Sequence, residues 1–187
     1  MSKLDGKTIA ILATNGFEQS ELFVPLEKLR EAGATVHVVS LQGGEIKGWD
    51  KDDWGKSVPI DREIDEVQVS DYDALVLPGG QINPDLLRVE KKAVDLVRHF
   101  FEAKKPLAAI CHAPWLLIEA GIVKGRNVTS YHSIETDVRN AGGLWSDEAV
   151  VVDNGLITSR NPGDLDAFVS KITEEVLEGR HEDRDAA

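Results

Sequence analysis

The segment that most constrains this chain is Pro106-Leu107-Ala108-Ala109-Ile110-Cys111-His112-Ala113-Pro114-Trp115-Leu116-Leu117-Ile118. It reads as a short apolar strand, a sharp corner at Cys111 and an apolar helix. Pro106 suits the start of a strand, where a missing N–H breaks no ladder bond. Pro114 suits the first turn of a helix, whose N–H groups have no intrahelical partner. A strand running straight into a helix lifts the corner residue above the edge of a sheet. It also gathers the next backbone N–H groups, from His112 onward, around that residue. This is the mechanics of a nucleophile elbow, with a thiol in place of a hydroxyl. The positive end of the helix favours a thiolate and a developing oxyanion. The plainer reading is a buried, inert cysteine; the corner and the adjacent His112 favour a reactive one.

Around this corner, strand and helix patterns alternate. Residues 7–14 (KTIAILAT) form a near-continuous apolar run, the mark of a strand covered on both faces. Residues 18–32 predict a helix with Leu22, Val24, Leu26 and Leu29 inward, Pro25 near its start or at a kink, and Gly33 as its stop. Residues 35–41 (TVHVVSL) are the next strand, so the chain opens βαβ, which implies a parallel sheet with a right-handed crossover. The polar stretch 42–69 predicts a small hairpin built on 45–49 and 57–60, with Trp49 and Trp54 as pocket wall or subunit contact. Residues 71–78 form another buried strand, followed at once by Gly79-Gly80. A plain tight turn explains such a pair. Its place at the carboxyl end of a parallel strand, as for Cys111, also fits a site edge whose peptide N–H, from Gly79 or Gly80, joins that of His112 as an oxyanion donor.

Residues 81–85 read as a loop and 89–104 as an amphipathic helix with Ala93, Leu96, Val97, Phe100 and Phe101 inward. The elbow helix ends near Gly121. A short strand over 127–131 and a short helix over 134–141 follow. Residues 150–154 and 155–159 predict a hairpin closed by Asn-Gly, and 165–177 a final helix. The charged tail, about 178–187, is expected to fray. No repeat or linker interrupts the chain, which reads as one domain over 1–187.

One cysteine among 187 residues excludes an intramolecular disulfide and suits a reducing compartment such as the cytoplasm. The first residues show no apolar signal region, and no apolar run approaches the roughly 20 residues needed to cross a bilayer. A net charge of −12 argues against nucleic acid and anionic membranes as partners. The five histidines are scattered and no CxxC or HExxH occurs, so no metal site is expected.

Several motifs in order resemble the PfpI branch of the DJ-1/PfpI superfamily. They are Phe17-Glu18 after the first strand, Leu77-Pro78-Gly79-Gly80, Ala109-Ile110-Cys111-His112-Ala113-Pro114, Gly125-Arg126 through Thr129-Ser130-Tyr131, and Val150-Val151-Val152-Asp153. The resemblance implies a three-layer flavodoxin-like α/β sandwich with a mainly parallel sheet, akin to class I glutamine amidotransferases. It implies homodimers, with some members forming hexamers, and no cofactor. Residue by residue, it implies Cys111 as nucleophile, His112 as its partner and Glu18 as the acid hydrogen-bonded to the cysteine. Asp85 takes about the place of a trans-subunit catalytic acid, in a loop one residue longer than the family pattern. The plainer readings are a first-turn helix acid for Glu18, a capping or surface histidine for His112 and a helix-start acid for Asp85.

Two enzymatic functions follow. In one, Cys111 adds to small reactive carbonyls or their glycated adducts, in a glyoxalase or deglycase reaction. In the other, a peptidase or amidase runs through Cys111, His112 and Asp85. A non-enzymatic stress protein that senses oxidants at Cys111 or holds unfolded chains is the third reading. A glutamine amidotransferase needs a distant histidine followed two residues later by an acid, a pattern found only at His181 in the tail.

Overall fold

A computed structural model of the chain describes residues 3–184. In chain order the elements are β1 (Thr8–Leu12), β2 (Phe17–Glu18), α1 (Gln19–Glu31), β3 (Thr35–Ser40), β4 (Glu45–Asp50), β5 (Asp53–Pro59), β6 (Arg62–Glu63) and β7 (Ala74–Leu77). Then come α2 (Ile82–Leu87), α3 (Lys91–Glu102), β8 (Leu107–Ile110), α4 (Pro114–Glu119), β9 (Asn127–Val128), α5 (Glu135–Asn140) and β10 (Leu144–Trp145). The hairpin β11 (Val150–Asp153) and β12 (Leu156–Ser159) leads into α6 (Leu165–Glu178).

The central sheet has seven strands in the order β11-β12-β8-β7-β1-β3-β6, all parallel except β11, which pairs antiparallel with β12. Side chains along β1 alternate between two cores. Ala10 and Leu12 join Leu96, Phe100, Phe101 and Leu116 on the α3–α4 face. Ile9 and Ile11 join Leu22, Leu26, Phe168 and Ile172 on the α1–α6 face. Period-two alternation with both faces covered makes the strands continuously apolar and the molecule three-layered, as the resemblance implied. Strand order reverses between β1 and β7, and the loops leaving β1, β7 and β8 meet at that crevice, where open α/β sheets place their sites.

The expected polar hairpin is β4–β5, and β2 adds to it in parallel as a separate three-stranded sheet. Trp49 and Trp54 pair edge-on with ring centroids 5.4 Å apart, which stiffens the hairpin beside the crevice. The Asn-Gly turn is present: Asn154 (φ 47°) and Gly155 (φ 78°) are both left-handed, as a two-residue hairpin of the primed type requires. Among the described residues no helix is long and apolar enough to cross a membrane.

Two expectations are corrected. Residues 81–85 are not a loop: Gln81 caps α2 and 82–85 are its first residues. The buried Asn83 tethers it: Oδ1 accepts from Thr14 N–H at 2.8 Å, and Nδ2 donates to the Pro78 and Gly79 carbonyls. Nor does the tail fray as far as Arg184. That side chain is only 2% exposed, and its guanidinium donates to the carbonyls of Phe101, Lys105 and Asn154. Residues 185–187 lie outside the described residues.

Candidate active site

Cys111 follows β8 directly and has φ 65°, a left-handed conformation that costs a residue with a side chain on the order of 1 kcal/mol. The end of β12 and the loop after β9 hold it there. Its N–H donates to Ser159 O at 3.0 Å, and its carbonyl accepts from Tyr131 N–H at 2.8 Å. The residue is 6% exposed. The expected elbow is thus built, and its strain is confined to the corner residue.

Three groups surround the sulfur. The His112 ring lies beside it, with Nδ1 3.1 Å from Sγ. The backbone N–H groups of Gly80 and His112 stabilise its charged form. The third group is the carboxyl of Glu21, fully buried in the first turn of α1. Glu21 Oε2 accepts from Gly79 N–H at 2.8 Å, which sets the carboxyl beside the thiol. Burial, reinforced by the charge of Glu18, pushes Glu21 up to about 8, against the counter-effects of the Gly79, thiol and Gly80 hydrogen bonds. Burial and then the Glu21 charge push the thiol up, while the Gly80 and His112 N–H groups draw it down. Two buried acids in contact cannot both ionise cheaply, so near neutral pH the pair keeps at least one proton.

His112 is held from both sides. Its ring stacks on Tyr131 at 4.9 Å and meets Trp115 edge-on at 5.1 Å, while Nε2 lies 3.1 Å from Ser133 Oγ. Burial, with a smaller push from His132, lowers its pKa to about 4. The imidazole is therefore neutral at pH 7 and able to accept a proton. Above the sulfur opens a cleft of about 480 Å³ walled by Glu18, Trp49, Lys51, Ile82 and Tyr131.

The structure brings together Cys111, His112, Gly79, Gly80 and Glu18, but it redistributes their roles. The acid on the thiol is Glu21, one helical turn beyond Glu18. Glu18 lines the cleft and accepts a hydrogen bond from Ser20 Oγ at 3.0 Å. Gly79 N–H is committed to Glu21, which leaves Gly80 and His112 as the backbone donors that favour the thiolate. Asp85 stands exposed on α2, in a neighbouring groove with Gln81, Leu86 and Trp115, and within this chain the outer nitrogen of His112 faces Ser133 instead. His181 sits against Gly155, whose carbonyl accepts from Leu107 N–H at the start of β8. Cys111 lies past the opposite end of that strand, so the amidotransferase pairing has no geometric basis.

Glu21, Ser133 and the Tyr131 stack were missed by sequence reasoning. Glu21 carried a signal. It shares the helical stripe of Leu22, Pro25, Leu26 and Leu29, all buried, and an acid on the buried face of a helix is the informative exception. Ser133 carried none, since its position depends on how the chain returns after β9.

Fold and site define an α/β protein with a strained cysteine elbow, a neighbouring neutral histidine and a buried carboxyl. The DJ-1/PfpI family profile matches residues 7–175, and the chain belongs to the DJ-1/PfpI family. It is 45% identical over 164 residues to the Thermococcus kodakarensis protein named Deglycase TK1284, covering 88% of this chain and 96% of that one. It is also 45% identical over 163 residues to the Escherichia coli protein named Protein/nucleic acid deglycase 2, covering 87% and 93% respectively. Among solved structures, a two-domain protein from Anabaena variabilis with DJ-1/ThiJ/PfpI-like and ferritin-like domains superposes with a TM-score of 0.87 at 37% identity, over 96% of this chain and 52% of that chain.

Proposed function

We propose that the protein is a cofactor-independent enzyme that uses Cys111 to attack small reactive aldehydes such as methylglyoxal, and the early adducts they form with amines and thiols. The observation that carries this reading is the thiol held between two backbone N–H groups and a buried carboxyl raised to about 8. The relatives named deglycases agree with it.

In the reactive form Glu21 holds the shared proton and Cys111 is the thiolate. The sulfur bonds to the aldehyde carbon, and the carbonyl pair becomes an alkoxide facing the Gly80 and His112 N–H groups. Glu21 gives that oxygen its proton, and a hemithioacetal results. The Glu21 carboxylate then takes the proton from the same carbon. Passage through an enediol returns a proton to the neighbouring carbon and leaves a thioester. His112 takes a proton from water, the hydroxide adds, and the C–S bond breaks to release a 2-hydroxy acid and the thiolate. The proton on His112 returns to Glu21, so the net reaction is aldehyde plus water to hydroxy acid. From a hemiaminal, departure of the amine frees the same carbon for attack. On this reading the protein works in a reducing compartment, where its thiol stays free, and associates with itself through the exposed surface formed by Asp85 and Leu86 of α2 and by Val89 just after it.

The test is methylglyoxal consumption with detection of the hydroxy acid, wild type beside Cys111→Ala. Product from the wild type alone is expected. Equal turnover by the variant, or none by either, overturns the reading.

A further inference from the structure

At the far end of α6 from the catalytic corner, three side chains converge: Glu175, Glu178 and His181, each offering one ligand atom within 4.8 Å of the others. Glu175 and Glu178 stand three residues apart and share a helix face. His181 reaches them because the chain turns back at Gly179 (φ 89°) and is anchored by His181 N–H to Lys104 O at 2.9 Å. Sequence spacing hides the cluster, since its histidine lies beyond the helix end.

The second observation concerns what this cluster leaves unsatisfied. Glu175 is only 5% exposed, and Glu175 Oε2 and His181 Nε2 are both closed to solvent. They stand 2.9 Å apart, yet neither has a hydrogen-bond partner: no N–H lies along the line between them. Two acceptor atoms so placed suit a common third atom. Donors held by one ion through bonds of about 2 Å lie about 3 Å apart. The carbonyl end of α6 adds negative potential, while Arg184 opposes it by acting on both groups.

We propose that Glu175, Glu178 and His181 form a divalent-cation site, of the zinc type, that fastens the C-terminal tail to the end of α6. One imidazole and two carboxylates match borderline ions such as zinc better than calcium or magnesium, which prefer oxygen alone. Since Arg184 inserts into the core three residues after His181, a bound ion stabilises that docked tail.

The experiment uses untagged protein carrying Cys111→Ala, so that the catalytic thiol takes no metal. Zinc binding is followed by titration calorimetry and by metal content after dialysis. One zinc per chain is expected, together with a zinc-dependent rise in melting temperature. His181→Asn and Glu178→Gln, the latter at an exposed position, are each expected to weaken binding roughly tenfold or more and to remove that rise. Their metal-free melting and circular dichroism establish that the variants fold. Absence of zinc binding by the Cys111→Ala protein, or binding unchanged in both variants, overturns the proposal.

Discussion

The Glu21 carboxyl and the Cys111 thiol lie side by side in a buried space, with Gly79 N–H fixing the carboxyl at 2.8 Å. Glu21→Gln keeps the shape and the bond to Gly79 but removes the proton that can be exchanged. Turnover is expected to fall by roughly 10²-fold or more, the scale of a lost general acid. Glu18→Gln is expected to leave the pH profile of thiol alkylation nearly unchanged. A larger effect at Glu18 than at Glu21, in alkylation by iodoacetamide from pH 5 to 9, would exchange their roles.

The same carboxyl makes stability depend on pH. An unfolded glutamate ionises near 4.5, whereas folded Glu21 holds its proton to about 8. Between these values the folded state binds more protons than the unfolded one, so the stability that Glu21 confers is full below about 4.5 and is lost as pH rises towards 8. The loss amounts to a few kcal/mol. Urea unfolding at pH 5.5, 7 and 8.5 is expected to show this decline in the wild type and a flatter profile in Glu21→Gln. Parallel profiles would mean that Glu21 is charged throughout.

Ser133 acts on His112 from outside the cleft, at 3.1 Å from Nε2. With that contact made, the ring presents Nδ1 to the sulfur as acceptor or donor according to its tautomer. Ser133→Ala is expected to lower kcat several-fold with KM little changed, and Ser133→Thr to restore most of it. His112→Asn removes the base and is expected to slow thioester hydrolysis, so that acyl-enzyme accumulates in mass spectra. A change confined to KM would assign Ser133 to the cleft wall instead.

Much of this was legible in sequence because the strands are buried on both faces and their ends are marked by Gly, Pro and Asn-Gly. The apolar runs that became β1, β7 and β8 and the inward faces of α1 and α3 needed only periodicity. What stayed hidden depends on tertiary contact. α2 is held by the buried Asn83 side chain, Glu21 was masked by a more conspicuous acid in the same turn, and the tail looked charged and loose until Arg184 found its carbonyls. Composition describes a segment's average, whereas one guanidinium decides where this one sits.

Gly79 and Gly80 separate two causes of glycine use. A Cβ on Gly79 would stand 2.6 Å from Cys111 Cβ, Glu21 Oε2 and the Ile110 carbonyl, so the objection is space around the pair. A Cβ on Gly80 would meet the Gly16 carbonyl and Glu18 N at 2.7 Å, and φ is +82°, so the objection is backbone. Gly79→Ala is expected to disturb the Glu21–Cys111 contact, with thiol alkylation changed at least tenfold. Gly80→Ala is expected to cost about 2 kcal/mol of stability or more. Unaltered alkylation in Gly79→Ala would show that the pair tolerates displacement.

Arg184 tests whether the tail belongs to the fold. Its guanidinium donates to Phe101 O at 2.7 Å, Lys105 O at 2.8 Å and Asn154 O at 3.2 Å, and lies 4.3 Å over the Phe101 ring. Burial lowers its pKa to about 10, which still leaves it charged at pH 7. Arg184→Ala would take a donor from three carbonyls, of which Phe101 O still accepts from Lys104 N–H, and expose the edge of Phe101, at an expected cost of about 2–4 kcal/mol. Arg184→Lys keeps the charge but not the planar fork and is expected to recover less than half of this. Both variants should retain wild-type kcat under native conditions, because Cys111 lies past the opposite end of β8 from the Lys105 and Asn154 anchors. An unfolding free energy in urea lowered by less than about 0.5 kcal/mol in Arg184→Ala would instead mean that the tail contributes no more than a loose surface segment.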